Sequence, residues 1–215
     1  MLKPLFILIR RCRLVRTSAL FVLLAFVYRY LRFGVKILAR NGTMIYGAKN
    51  ITTQGMLKIG MAFIGFSHKY DRTLLNVRGK LVFTGDYTIG AGCRFDIGER
   101  AEAQFGSGYV NPNTTFIIMN RLSIGDETII SWGCEFLDSN FHSLTYPGSL
   151  PLPAAKISIG KRVWIGSHVK VLPGANIPDG CVVAAGSVVS GHFTESNCLL
   201  GGVPARVIKK EVHWE

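Results

Sequence analysis

Not one aspartate or glutamate stands among the first seventy residues, where twelve lysines and arginines do. From Asp71 onward thirteen basic residues meet thirteen acidic ones, so the formal charge of +12 belongs to the first third of the 215-residue chain. Such a segment repels copies of itself and attracts anions. Paired cysteines are missing too: Cys12, Cys93, Cys134, Cys181 and Cys198 form no CxxC motif and no regular disulfide spacing. An odd, scattered set of thiols fits apolar fillers in a reducing compartment, which predicts a cytoplasmic protein. His68, His142, His168, His192 and His213 show no zinc-ligand spacing, so no metal is expected. A GxSxG elbow, a P-loop and a dinucleotide glycine loop are absent, which removes the chemistries built on them.

Long apolar runs are lacking as well. Ala19 to Tyr28 is unbroken, but a spanning helix needs about twenty apolar residues. Arginines flank the run on both sides, and Tyr30, Leu31 and Arg32 follow it where a signal peptide would carry small residues. Arg29, Arg32, Lys36 and Arg40 recur at three to four and share one helical face, with Leu31, Val35 and Leu38 on another. The pattern predicts an interfacial helix in a basic extension, residues 1–45. Residues 1–40 would lie on the anionic inner face of the cytoplasmic membrane. Capping the open end of a repeat fold and mediating oligomer contacts are the competing roles. Nucleic acid is not expected as a partner, because the segment carries no reader motif and is too apolar for a phosphate-tracking arm.

What the chain does have is a period of six. Ile159, Ile165, Val171, Ile177, Val183 and Val189 fall six apart, a spacing that neither a helix nor a flat strand produces. If each short strand and its turn take six residues, three such units make one triangular coil of about eighteen, with every sixth side chain on the axis. Gly160, Gly166 and Gly186 follow closely on inward aliphatics, at the corners. Upstream, Val77, Phe83, Ile89, Phe95 and Ala101 form one run in step, and Ile118, Ile124, Ile130 and Phe136 another. The phase slips after Ala101 and after Phe136, which predicts insertions there. The expected architecture is an all-β parallel β-helix over 46–205, followed by a short C-terminal tail, 206–215.

The second insertion, an expected active-site loop at 137–156, carries three prolines that exclude a regular strand. Loops thrown out from a rigid solenoid are where function resides. His142 lies in it beside Asp138 and Asn140, groups able to orient an imidazole through one ring nitrogen and leave the other as a base near neutral pH.

The run from Ile157 to Pro178, with AlaAlaGlySerValVal at 184–189 and GlyGlyValProAlaArgValIle at 201–208, resembles the hexapeptide-repeat acyltransferases. The resemblance covers roughly residues 80–210. It implies a left-handed β-helix, assembly as a homotrimer, and acetyl-CoA as the acyl donor. AspSerAsnPheHisSerLeu at 138–144 looks like the segment in which sugar and polysaccharide O-acetyltransferases carry their catalytic histidine. By that likeness His142, with Asp138, takes the proton from an acceptor hydroxyl that attacks the thioester directly. Gly166, Ser167 and Ala185 match positions along the pantetheine arm, and Trp164 an aromatic close to the acyl group. Arg206 matches the basic residue near the nucleotide end. Ser190, also expected to contact the cofactor, stands where many relatives have a Thr-Lys pair, which leaves the 3′-phosphate to Arg206, Lys209 or Lys210. Asn111, Asn113, Asn140 and Trp132 are the expected acceptor contacts. The basic extension is foreign to the small soluble sugar acetyltransferases, so the expected acceptor is a sugar hydroxyl of a cell-surface polysaccharide or its lipid-linked precursor. N-acetylation of an amino sugar and a non-catalytic scaffold in a membrane assembly complex are the alternatives.

Overall fold

The computed structural model describes residues 2–68, 70–142 and 155–215. Two helices come first, α1 at Leu2–Leu14 and α2 at Ala19–Phe33. Gly34, at φ 72°, ends α2 and donates its N–H to the Tyr30 carbonyl, a left-handed cap that glycine takes without strain. The cationic helical face expected to continue through Lys36 and Arg40 therefore stops at Phe33. Beyond it the apolar residues change to period two, with Val35, Ile37 and Ala39 buried. That alternation overrides the spacing of the cations because it puts three side chains into the core. Lys36 and Arg40 turn to the coil instead. The Lys36 backbone N–H donates to Thr53 Oγ1 at 2.8 Å, and the Arg40 guanidinium donates to the Asp71 carbonyl at 2.7 Å.

The β-helix thus begins with the strand Ile37–Ala39, inside the segment expected to be extension. Each short strand pairs in parallel with the strand one turn later. Among the described residues this builds three sheets of nine, seven and six strands. They are named here first, second and third in the order the chain visits them, from Ile37–Ala39, Met44–Tyr46 and Ile51–Thr53. All six C-terminal period-six residues are buried and stack in register. Ile159 pairs with Ile177, Ile165 with Val183 and Val171 with Val189.

Farther up the coils are wider. Phe95, Phe116 and Phe136 stack along the second sheet with ring centroids 4.5 Å apart, and Phe83 lies 5.2 Å from Phe105 along the third. Ala101, expected on the axis, is buried but sits in the turn before the strand Glu102–Phe105; Phe105 pairs with Phe83 in its place. The slip falls there because the preceding strand, Arg94–Ile97, buries both Phe95 and Ile97 before it turns. From Phe136 to Val171 the chain advances 35 residues against 18 from Val171 to Val189, which marks the expected insertion; residues 143–154 of that loop lie outside the described residues. A further insertion, Gly60–Thr73, separates the strands Leu57–Ile59 and Leu74–Val77.

Aspartates lock the corners. Where the third sheet passes to the first, Asp86, Asp126 and Asp179 each accept, at Oδ1, a backbone N–H from the coil before: Met56 at 2.8 Å, Ser107 at 2.9 Å and Lys161 at 2.7 Å. These charge-assisted bonds satisfy corner amides that no ladder partner reaches. Ala205–Lys209 returns antiparallel to Leu199–Gly202, so the expected tail opens as a strand. Its Trp214 donates to the Arg162 carbonyl at 3.0 Å.

Candidate active site

The three corners divide the candidate residues. Asp138 follows the strand Glu135–Leu137 at the corner between the second and third sheets. It is 1% exposed, and its two oxygens accept the backbone N–H groups of Met119 and Asn120, both at 2.7 Å. Asn120 Nδ2 donates back to the Asp138 carbonyl at 3.1 Å. Asp138, expected as the partner of the imidazole, does for this corner what Asp86, Asp126 and Asp179 do for theirs. From that anchor the chain leaves the coil. Ser139 Oγ accepts the Phe141 N–H, Phe141 has a positive φ of 60°, and the His142 N–H donates to the Asn140 carbonyl at 2.7 Å. This tight turn holds Asn140 and His142 at the surface, both exposed, four residues or fewer from a buried latch.

Asn111, Asn113, Trp132, Gly166, Ser167 and Ala185 gather at another corner, between the first and second sheets, on successive coils. Trp132 sits at a turn tip, half-exposed, and the Phe66 ring from the Gly60–Thr73 insertion meets its face edge-on at 5.7 Å. Asn113 has φ 62°, and a Cβ on Gly92 would lie 2.1 Å from its Oδ1. Asn197 at φ 56° covers Gly180 in the same way, so the Asn113 side chain is engaged in corner packing. Below Trp132 the corner becomes small and smooth. A Cβ on Gly166 would come within 2.7 Å of the Ala185 nitrogen, whereas one on Gly186 would meet nothing. Ser167 and Ala185, one coil apart, are open to solvent in part. A ridge of small residues with room beside it fits a slim pantetheine arm.

Trp164 faces outward on the first sheet, with Nε1 donating to Ser131 Oγ at 3.3 Å. The tail brings Trp214 to 6.2 Å from its ring. Sequence reasoning passed over Trp214 and Phe66; the signal for each was a large aromatic in a segment with no strand period to bury it. Ser190 lies at the Asp138 corner and Arg206 on the last strand, where its guanidinium donates to the Ala205 carbonyl at 2.8 Å. Within one chain the second sheet stands between His142 and the Trp132–Ala185 ridge. The thiols are inert by placement: burial pushes Cys93 up to about 12 and Cys134 up to about 11, so both stay protonated near neutrality.

Comparison with known proteins agrees with this architecture. Residues 156–191 match the bacterial transferase hexapeptide (six repeats). An uncharacterized 24.8 kDa protein in the cps region of Klebsiella pneumoniae is 34% identical over 211 residues, covering 97% of this chain and 95% of its own. The putative lipopolysaccharide biosynthesis O-acetyl transferase WbbJ of Escherichia coli K12 is 36% identical over 152 residues, 64% of this chain and 77% of its own. Galactoside O-acetyltransferase of the same organism is 35% identical over 105 residues, 47% of this chain and 50% of its own. On the repeat, the parallel coil and these relatives, the chain belongs to the hexapeptide-repeat acyltransferase family.

Proposed function

We propose that this acyltransferase moves an acetyl group from acetyl-CoA to a sugar hydroxyl of a cell-surface polysaccharide or its lipid-linked precursor. The observation that carries the reading is the anchored turn at His142: Asp138, bonded to Met119 and Asn120, fixes the point from which an exposed imidazole is presented. Relatives named for O-acetyl transfer in lipopolysaccharide biosynthesis and to galactosides support a sugar hydroxyl as acceptor. His142 takes the hydroxyl proton as the acceptor oxygen bonds to the acetyl carbonyl carbon. The carbon–sulfur bond then breaks, and the proton passes to the departing thiolate. Backbone N–H groups at the cleft stabilise the oxyanion that forms between these events. No acyl-enzyme is needed.

A base at one corner and a cofactor ridge at another make a complete site only when two copies meet, so the reading includes a homotrimer with three such junctions. Support comes from the outer faces. The second and third sheets carry ion pairs, Lys170 with Glu135 and Arg121 with Glu102, both at 3.0 Å. The first presents Tyr109, Ile129 and Trp164 in register, an apolar ladder suited to contact between copies. The test is isotope-labelled acetyl-CoA incubated with glycan-bearing membrane extract. Label that enters the glycan and leaves in mild alkali supports an ester. Label that resists alkali marks an amide and overturns the hydroxyl acceptor.

A further inference from the structure

The two N-terminal helices pack on the first coil through one side, with Phe33 reaching the main core. Cys12 and Val15 from α1 and its exit, and Val22 from α2, are buried with Met61, and Leu38 of the first strand packs alongside. On α2 the side opposite Val22 is different. Leu20, Leu24, Val27 and Leu31 recur at four, three and four residues, which puts them in one stripe along the helix. They are between 48% and 78% exposed. Phe21 and Tyr28 flank the stripe, and Phe6 and Ile7 of α1 are exposed as well. Continuous apolar surface of this kind marks a face that something covers.

Charge identifies what. The first seventy residues hold twelve cations and no anion, so pairing this face with the same face of a second copy would bring like charges together. Nucleic acid would meet leucine and phenylalanine where it needs phosphate contacts. An anionic bilayer answers both features, the apolar stripe and the cations. Between α1 and the second coil lies a cleft of about 290 Å³, lined by Arg11, Leu14, Lys58, Met61 and Phe63 among others. Two cations set against apolar walls are the complement of a phosphate that carries an acyl chain. The helices are bent by 116° to one another, and no single helix among the described residues is long and apolar enough to cross a membrane.

We propose that the α1–α2 elbow docks peripherally on an anionic lipid surface, with the Leu20–Leu31 stripe in the acyl boundary and a lipid phosphate seated in the Arg11–Lys58 cleft. Lys36 and Arg40 take no part, being tied to the coil. The proposal stands apart from the acetyl-transfer reading and does not depend on it.

The test is co-sedimentation of the full-length protein with vesicles of phosphatidylcholine alone and of phosphatidylcholine with phosphatidylglycerol, at low and high salt. Binding to the anionic vesicles should be stronger by roughly tenfold or more and weaken with salt. Leu24→Glu with Leu31→Glu should lower it by roughly tenfold or more, and Arg11→Glu with Lys58→Glu should remove the preference for phosphatidylglycerol. Melting temperature and CoA release with a soluble acceptor should stay at wild-type values. A wild type indifferent to phosphatidylglycerol overturns the proposal. So do stripe variants that bind vesicles normally but change oligomeric mass, which would assign the face to a second copy. Should the variants fail to fold, the wild-type comparison across the two lipid compositions decides alone.

Discussion

The Oδ1 of Asp138 accepts the backbone N–H of Met119 at 2.7 Å, and its other oxygen takes the neighbouring amide of Asn120. The residue next to the candidate base is thereby a structural latch. Asp138→Ala leaves two partly buried amides without an acceptor and should cost about 2 kcal/mol, read as a lower midpoint in urea unfolding. Asp138→Asn keeps one acceptor oxygen and should lose less. A variant as stable as wild type but inactive would return Asp138 to the role of imidazole partner.

The Phe66–Trp132 contact links an insertion on the second coil to a turn three coils on. An edge-to-face aromatic pair contributes about 1 kcal/mol beyond its buried area. Trp132→Ala should raise the acceptor KM severalfold and leave kcat close to wild type, with Phe66→Ala acting the same way to a smaller extent. Steady-state kinetics at saturating acetyl-CoA measure both. A fall in kcat at constant KM would place the pair elsewhere in the reaction.

Gly108 has φ 143°, and a Cβ there would lie 2.2 Å from the Thr128 carbonyl oxygen of the next coil. Gly108→Ala must move a ladder strand in the first sheet, so it should destabilise the fold by about 2 kcal/mol or more. Gly186→Ala meets no atom within 4 Å and carries only the strain of its φ of 72°, so it should cost less. Thermal unfolding of the two variants side by side reports the difference.

Thiol titration gives a pH window. Burial raises Cys93 and Cys134 from the ordinary 9.0 to about 12 and about 11, so the unfolded chain sheds these protons first as pH rises. The stability they confer is therefore whole below about pH 9 and is lost as pH climbs through 11 to 12. Native protein at neutral pH should leave both thiols unmodified by iodoacetamide, and unfolding should expose them; mass spectrometry of the peptides checks this.

The C-terminal coils were legible residue by residue because the turn between stacked side chains holds at 18 residues there, from Ile159 to Ile177, Ile165 to Val183 and Val171 to Val189. Upstream the coil widens, with 22 residues from Phe83 to its partner Phe105, and the period of six drifts off Ala101 onto Phe105. The Gly60–Thr73 insertion escaped notice because it has no proline cluster, only Gly60, Gly65 and the aromatics Phe63, Phe66 and Tyr70. The helix boundary was misread where cations at helical spacing overlapped a short strand; Gly34 was the stop signal. For the site, residue types were legible but corners were not. A one-dimensional period does not say that Asp138 and Ser190 share a corner that Ser167 and Ala185 do not, nor that Trp214 returns to Trp164.

We propose His142 as the base for acetyl transfer. Its most direct test is CoA thiol release by wild type and His142→Ala with glycan-bearing extract as acceptor, alongside calorimetric binding of acetyl-CoA to both. Release should fall by about 10²- to 10⁴-fold in His142→Ala while acetyl-CoA still binds. Release at the wild-type rate from His142→Ala, or a wild type that neither binds nor turns over acetyl-CoA, would contradict it.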